Sequence, residues 1–140
     1  MTQFRIVILD DDYMASQALS NAAKSSGIES LVYREASSFY MDITSNSFTE
    51  NDVFILDLML RNEGLPSELK ESEAQTGQIM LKVLRETLPR AFIYVVTAWN
   101  LREEDPHGTS KYANRVFSKP CRYRSVIREI IAEAGNTKGR

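Results

Sequence analysis

Four polar groups stand directly behind short apolar runs in this chain. Asp10-Asp11-Asp12 follows Phe4–Leu9, and Asp57 follows Val53–Leu56. Thr97-Ala98 follows Phe92–Val96, and Ser118-Lys119-Pro120 follows Val116–Phe117. If the fold brings these run ends together, several carboxylates, a hydroxyl and an ammonium share one place. Carboxylates gathered away from water repel each other and need a cation. An all-oxygen set suits a hard ion such as Mg²⁺, which takes one or two carboxylates, keeps several waters and accepts phosphate oxygens. A metal beside Asp57 would screen an incoming phosphoryl group. Lys119 and the Thr97 hydroxyl would hold the oxygens the metal does not. The chemistry such a set could perform is movement of a phosphoryl group onto a carboxylate.

The elements that must position these residues are legible as an alternation. Five apolar runs, Phe4–Leu9, Ser30–Tyr33, Val53–Leu56, Phe92–Val96 and Val116–Phe117, alternate with helix-like stretches. The first, third and fourth runs are nearly continuous in Ile, Val, Leu and Phe, as strands buried on both faces are. The second and fifth are weaker. Met14, Ala18 and Ala22 repeat at helical spacing, with Gly27 behind them as a cap. Phe39 and Ile43 mark a short second helix, and Ile79, Met80, Val83 and Leu84 a strong third that stops before Pro89. Residues 101–114 contain Pro106 and Gly108, so a fourth helix there should be short or frayed. Tyr123, Val126, Ile127, Ile130 and Ala134 make the last, closed by Gly135. Five βα units imply an α/β sandwich around a parallel sheet. Right-handed crossovers set all strand-to-helix loops at one sheet edge, where ligands bind in such folds.

One segment is irregular. Arg61–Thr76 carries four acidic and two basic residues and is far longer than the usual βα loop. Its acids would crowd an acidic site, so most of it should project outward or stay mobile, as a partner- or state-specific element rather than part of the core. A fold-back of Arg61 or Glu63 over the site is the minority reading, with Arg61 able to pair with phosphate. Asn136–Arg140 reads as a loose tail.

Composition narrows the functional classes. With 140 residues the chain suits one domain, and 43% hydrophobic against 26% charged residues reads as ordered. Seventeen basic and nineteen acidic residues leave no footprint for nucleic acid and no polybasic membrane patch. The single Cys121 excludes an internal disulfide and suggests a reducing compartment. No stretch approaches the roughly 18 apolar residues of a membrane span, and no leader is expected, which points to the cytoplasm.

These motifs together resemble the receiver domain of two-component response regulators, the chemotaxis-regulator-like group. VILDDD is similar to that family's acidic pair, FILDLML to its phosphoacceptor segment, VVTA to its strand-four hydroxyl with a small neighbour, and FSKP to its lysine–proline segment. The resemblance runs from about Phe4 to Ala134. It implies a flavodoxin-like, doubly wound (βα)₅ sandwich of strand order 2-1-3-4-5, a receiver over residues 1–135 with an insert at 61–76, and a flexible tail at 136–140. It implies Asp57 as phosphoacceptor. Mg²⁺ would be held by Asp11 directly, by Asp10 partly through water, by Asp57 and by the backbone carbonyl of Met59. Thr97 and Lys119 would contact the phosphoryl group, Ala98 would leave it space, and the Lys119–Pro120 bond would be cis. The implied partners are a histidine kinase or phosphotransfer protein. A homodimer or target protein would use the face of the fourth helix, fifth strand and last helix, with no nucleic acid and no membrane.

The sequence departs from that family in places. Arg61 stands where a proline is usual, and Gly77 takes the part of the glycine that opens helix three. Val116 occupies the usual aromatic switch position, while Phe117 falls one residue along, on the other strand face. Cys121 replaces the residue, often phenylalanine, after the lysine–proline pair. Trp99, two beyond Thr97, is a candidate for controlling access to the site. Structural readings stand beside these: Asp12 as a helix cap, Asp10 and Asp11 as N-terminal helix acids, His107 as a loop residue and Cys121 as a packed thiol. Competing functions are a pseudo-receiver, a haloacid-dehalogenase-like phosphatase and a flavodoxin-like carrier. The phosphatase would need an acid where Met59 stands, and three aspartates would repel the carrier's phosphate.

Overall fold

A computed structural model of the chain describes residues 4–70, 74–98 and 108–138. Its elements are β1 (Ile6–Leu9), α1 (Tyr13–Ser25), β2 (Ser30–Tyr33), α2 (Ala36–Thr44), β3 (Val53–Leu56) and the short turn α3 (Ser67–Lys70). α4 (Thr76–Thr87), β4 (Phe92–Thr97), α5 (Thr109–Tyr112), β5 (Arg115–Ser118) and α6 (Tyr123–Lys138) follow. The sheet is parallel throughout, in the order β2-β1-β3-β4-β5. This is the expected doubly wound, flavodoxin-like arrangement.

Position in the sheet explains the strength of each apolar run. Every residue of β1 and β3 is buried, and β4 is buried from Ile93 onward. β2 and β5 are half-open edge strands, which is why their runs are short and mixed. Alternate residues feed two cores. Val7, Leu9, Phe54, Leu56, Ile93 and Val95 face α2 and α4. Ile6, Ile8, Val53, Ile55, Tyr94 and Val96 face α1 and α6. Burying side chains of this size contributes about 1.5–3 kcal/mol each. On the first face Phe39, Phe48 and Phe54 pack with Tyr33 as an aromatic cluster.

Four readings are corrected. The stripe of α1 that faces the sheet is Ala15, Leu19, Ala22 and Ala23, whereas Met14 is 79% exposed. Asp12 caps α1 by accepting the N–H groups of Met14 and Ala15, which fixes where the helix begins. β1 begins at Ile6, two residues later than its apolar run. α6 continues past Gly135 to Lys138, so Gly135 does not close it.

The fourth correction concerns the insert. It does not wholly project from the fold, because Leu65 is 5% exposed and joins the core beside α2 and α4, with Leu69 packed against it. Gly64, at φ +80°, turns the chain so that Leu65 points inward, close beside Ser37. Thr76 already belongs to α4, so the insert ends one residue early. The short, frayed fourth helix is represented by α5 alone; residues 101–107, with Pro106 and His107, lie outside the described residues, as does Trp99.

Candidate functional site

The site is assembled one residue beyond the last rung of each central strand. Leu9 pairs with both Tyr33 and Leu56, so Asp10 and Asp57 leave neighbouring strands at the same level. The Asp10 N–H donates to the Tyr33 carbonyl at 3.0 Å, and the Asp57 N–H to the Leu9 carbonyl at 2.9 Å. Across the sheet, Thr97 pairs with Ser118, and the Lys119 N–H donates to the Thr97 carbonyl at 2.8 Å. The Lys119–Pro120 bond is cis.

From there the side chains converge. Lys119 Nζ donates to Asp10 Oδ2 at 2.9 Å and to Asp57 Oδ2 at 3.0 Å. The second oxygens are held by local backbone: Asp12 N–H donates to Asp10 Oδ1 at 2.9 Å, and Met59 N–H to Asp57 Oδ1 at 3.1 Å. Burial pushes the Asp10 carboxyl up to about 6, against the opposing pull of Lys119 and the Asp12 N–H. Burial also disfavours the Lys119 charge, but its hydrogen bonds to Asp10 and Asp57 prevail and raise its pKa. One ammonium therefore serves two buried carboxylates.

The remaining predicted residues lie on the same strands or in the segments next to them. Asp11 is half-buried, Thr97 is buried at the end of β4, and Ala98 beyond it is exposed. Met59 is 48% exposed, while its N–H is committed to Asp57. Val116 packs on the α2–α4 side of the sheet, and Phe117 packs on the α1–α6 side, as strand alternation requires. Cys121 is a free, half-buried thiol whose pKa burial raises.

Gly77 fixes the floor of the site. Its N–H donates to the Leu58 carbonyl at 2.9 Å, and a Cβ on it would lie 2.1 Å from the Asp57 carbonyl oxygen. The first turn of α4 is thereby held on the backbone that carries Asp57. Gln78, next in the same turn, is buried; its amide donates to Thr109 Oγ1 at 3.1 Å and its oxygen accepts the Gln75 N–H. Gln78 was not visible as a site neighbour in the sequence, because its partner lies 31 residues away.

Beside Asp11 a cleft of about 470 Å³ is lined by Arg34, Glu35, Ser37, Arg61 and Glu63. The start of the insert thus lies beside Asp11, with Arg61 and Glu63 exposed on the wall of the cleft. Arg34, from the end of β2, had no local signal of this placement.

The donor chemistry suits a hard divalent ion, since Asp10, Asp11, Asp57 and backbone carbonyls offer only oxygen. The shared Lys119 leaves the buried acids short of positive charge. Among the described residues no three acidic, histidine or cysteine side chains surround a single point. Lys119 stands where Asp10 and Asp57 meet.

No protein-family model and no curated protein matches the sequence. Solved structures do match. A two-component response regulator from Clostridium difficile is 17% identical with a TM-score of 0.73, over 99% of this chain and 100% of that one. A response regulator receiver domain protein from Clostridium thermocellum is 17% identical with a TM-score of 0.72, over 98% of each chain. A CheY-like receiver domain protein from Methanospirillum hungatei is 18% identical with a TM-score of 0.68, over 96% of each. The chain has the fold of response-regulator receiver domains.

Proposed function

We propose that the chain is a phosphoacceptor receiver in two-component signalling, taking a phosphoryl group from a histidine kinase or phosphotransfer protein onto Asp57. The observation that carries this reading is the bridge from Lys119 Nζ to Asp10 and Asp57 at the carboxyl edge of a receiver-fold sheet.

Asp57 Oδ2 is the nucleophile in this reading. It attacks phosphorus in line with the bond to the donor imidazole. The new P–O bond forms as the P–N bond breaks, and the bonding pair returns to the ring nitrogen. Asp57 loses its charge to an acyl phosphate, so Lys119 is released from one carboxylate and turns to a phosphoryl oxygen. Thr97 holds another oxygen, and Ala98, carrying only a methyl group, leaves room for it. Asp10, Asp11, Asp57 and the Met59 carbonyl would hold Mg²⁺. When bound, that ion neutralises charge on the phosphoryl oxygens.

The product is a switched surface rather than a released metabolite, so the chain turns over no external substrate beyond its donor. Val116 and the α5–β5–α6 face are where a homodimer or target would read the change. Among the described residues no helix is long and apolar enough to cross a membrane.

The test is incubation with acetyl phosphate, with and without Mg²⁺, followed by intact mass. A single phosphoryl adduct that needs Mg²⁺ and is absent in Asp57→Asn supports the assignment. Equal labelling of that variant would refute it.

A further inference from the structure

α5 is a helix of only four residues, Thr109–Tyr112. A turn of this length does not hold itself together, so its place must come from its neighbours. Packing supplies little of it. Thr109 is the one buried residue of α5, and it is polar. Ser110 and Lys111 are exposed, and Tyr112 is half-buried.

Hydrogen bonds from α4 grip α5 at both ends. At its start the Gln78 amide donates to Thr109 Oγ1 at 3.1 Å, with both side chains buried. At its end Arg85 Nε donates to the Tyr112 carbonyl at 2.9 Å, and Arg85 Nη2 to Asn114 Oδ1 at 2.9 Å. Gln78 and Arg85 stand two turns apart along one face of α4. The two grips differ in kind. Arg85 works partly in solvent, where water can replace a lost partner. The Gln78 bond is buried, and breaking it leaves the amide nitrogen without a partner away from water. A leucine would fill this place with no polar group to satisfy, as Met80, Leu81 and Leu84 do further along the buried side of α4. The buried amide instead holds α4 and α5 in one fixed relation.

The same turn of α4 sits on the segment that carries Asp57. Gly77, the neighbour of Gln78, donates to the Leu58 carbonyl and has no room for a Cβ against the Asp57 carbonyl oxygen. The Gln78 side-chain oxygen accepts the N–H of Gln75, the last residue of the insert, at 2.8 Å. One buried side chain thus joins the end of the insert, the turn seated on the Asp57 backbone and the start of α5. We infer that Gln78 is a positioning residue that couples the Asp57 site to α5, so that a shift of the Asp57–Leu58 backbone on phosphorylation passes through the Gln78–Thr109 bond. This deepens the phosphoacceptor reading and rests on it. Linkage makes the coupling reciprocal, so a partner that moves α5 acts back on the site by the same route.

The experiment uses the full chain with Mg²⁺ and beryllofluoride, an unreactive phosphoryl mimic, followed by amide NMR. In the native chain the signals of Leu58 and Met59 should move, and those of Ser110, Lys111 and Tyr112 with them. In Thr109→Val the first set should move as before, while the α5 set moves about threefold less or not at all. Gln78→Leu should reduce the α5 response from the other side of the bond. Thr109→Ser keeps the hydroxyl and should restore that response. Circular dichroism verifies folding. Should a single variant fail to fold, Q78L/T109V replaces both partners by apolar groups and carries the same expectation. Silence at Leu58 and Met59 in the native chain would overturn the phosphoacceptor reading, and the inference with it. Movement there with α5 silent in the native chain, or with an α5 response that survives Thr109→Val and Gln78→Leu, would overturn the coupling alone. So would an α5 response lost equally in Thr109→Ser.

Discussion

The two ends of the sheet each hold a buried aspartate, and the contrast between them separates structure from function. At the amino end Asp52 is 5% exposed, and at the carboxyl end Asp57 is 6% exposed. Asp52 is fully answered: Arg5 Nε and Nη2 reach its two oxygens at 2.8 and 3.3 Å, and the Thr49 N–H donates at 2.9 Å. The Asp52 hydrogen bond raises the pKa of Arg5 in return. That pair ties β1 to the loop before β3 and has no charge to spare. Asp57 shares one ammonium with Asp10, and the Asp10 carboxyl is driven up to about 6 chiefly by burial. On the proposed phosphoacceptor reading, that deficit of positive charge is what a cation and a phosphoryl group would make good. Similar burial thus accompanies different compensation: Asp52 has a guanidinium to itself, whereas Asp57 shares its ammonium with Asp10.

The sharpest way to break this contrast is to exchange each acid for its amide. Asp57→Asn should abolish Mg²⁺-dependent labelling by acetyl phosphate, read by intact mass. It should leave stability at or slightly above the native value, because one of two repelling carboxylates is gone. Asp52→Asn should label normally. If Asp52→Asn labels poorly while folded, the amino end is not the inert partner in the comparison.

Packing at the site comes next in size. Gly77→Ala places a methyl group against the Asp57 and Leu58 backbone. Denaturant titration should show a loss of about 3 kcal/mol or more, accompanied by impaired labelling. At the other end, Asp52→Asn should cost about 2 kcal/mol by weakening its charge-assisted hydrogen bonds with partly exposed Arg5. A similar loss is expected from Leu65→Ala, about 2–3 kcal/mol, which would confirm in solution that the insert is anchored in the core. An unchanged midpoint for that variant would return the whole insert to the surface.

The smallest effect concerns the lifetime of the modified state. Half-exposed Met59 flanks Asp57 and offers no group suited to orienting an attacking water. Met59→Asn should shorten the half-life of the phosphoprotein a few-fold, followed by loss of the intact-mass adduct. No change would show that this side chain does not shield the acyl phosphate.

Much of this molecule was legible because its signals are local. A parallel strand covered on both faces must be apolar at every residue, so Val53–Leu56 announced itself, and the polar residue that ends such a run has nowhere to go but the sheet edge. Asp10, Asp57, Thr97 and Lys119 could therefore be assigned to one edge before any coordinates. The edge strands β2 and β5 were read more weakly, because one half-open face relaxes the demand for apolar residues. The buried face of α1 lies one residue on from Met14 and Ala18, because packing on the sheet selects Ala15 and Leu19 and leaves the apolar Met14 in solvent.

What the chain alone determined is the alternation of elements and the residue types at the strand ends, both properties of neighbours along the backbone. Only the tertiary structure decided which charges are answered. It paired Asp52 with Arg5 across 47 positions and Lys119 with two carboxylates across 109 and 62. It also drew Leu65 into the core beside α2 and α4, and joined Gln78 to Thr109 across 31 positions. Burial and Coulomb interaction act through space, and the crossovers that bring these residues together carry no local mark of the partner they will meet.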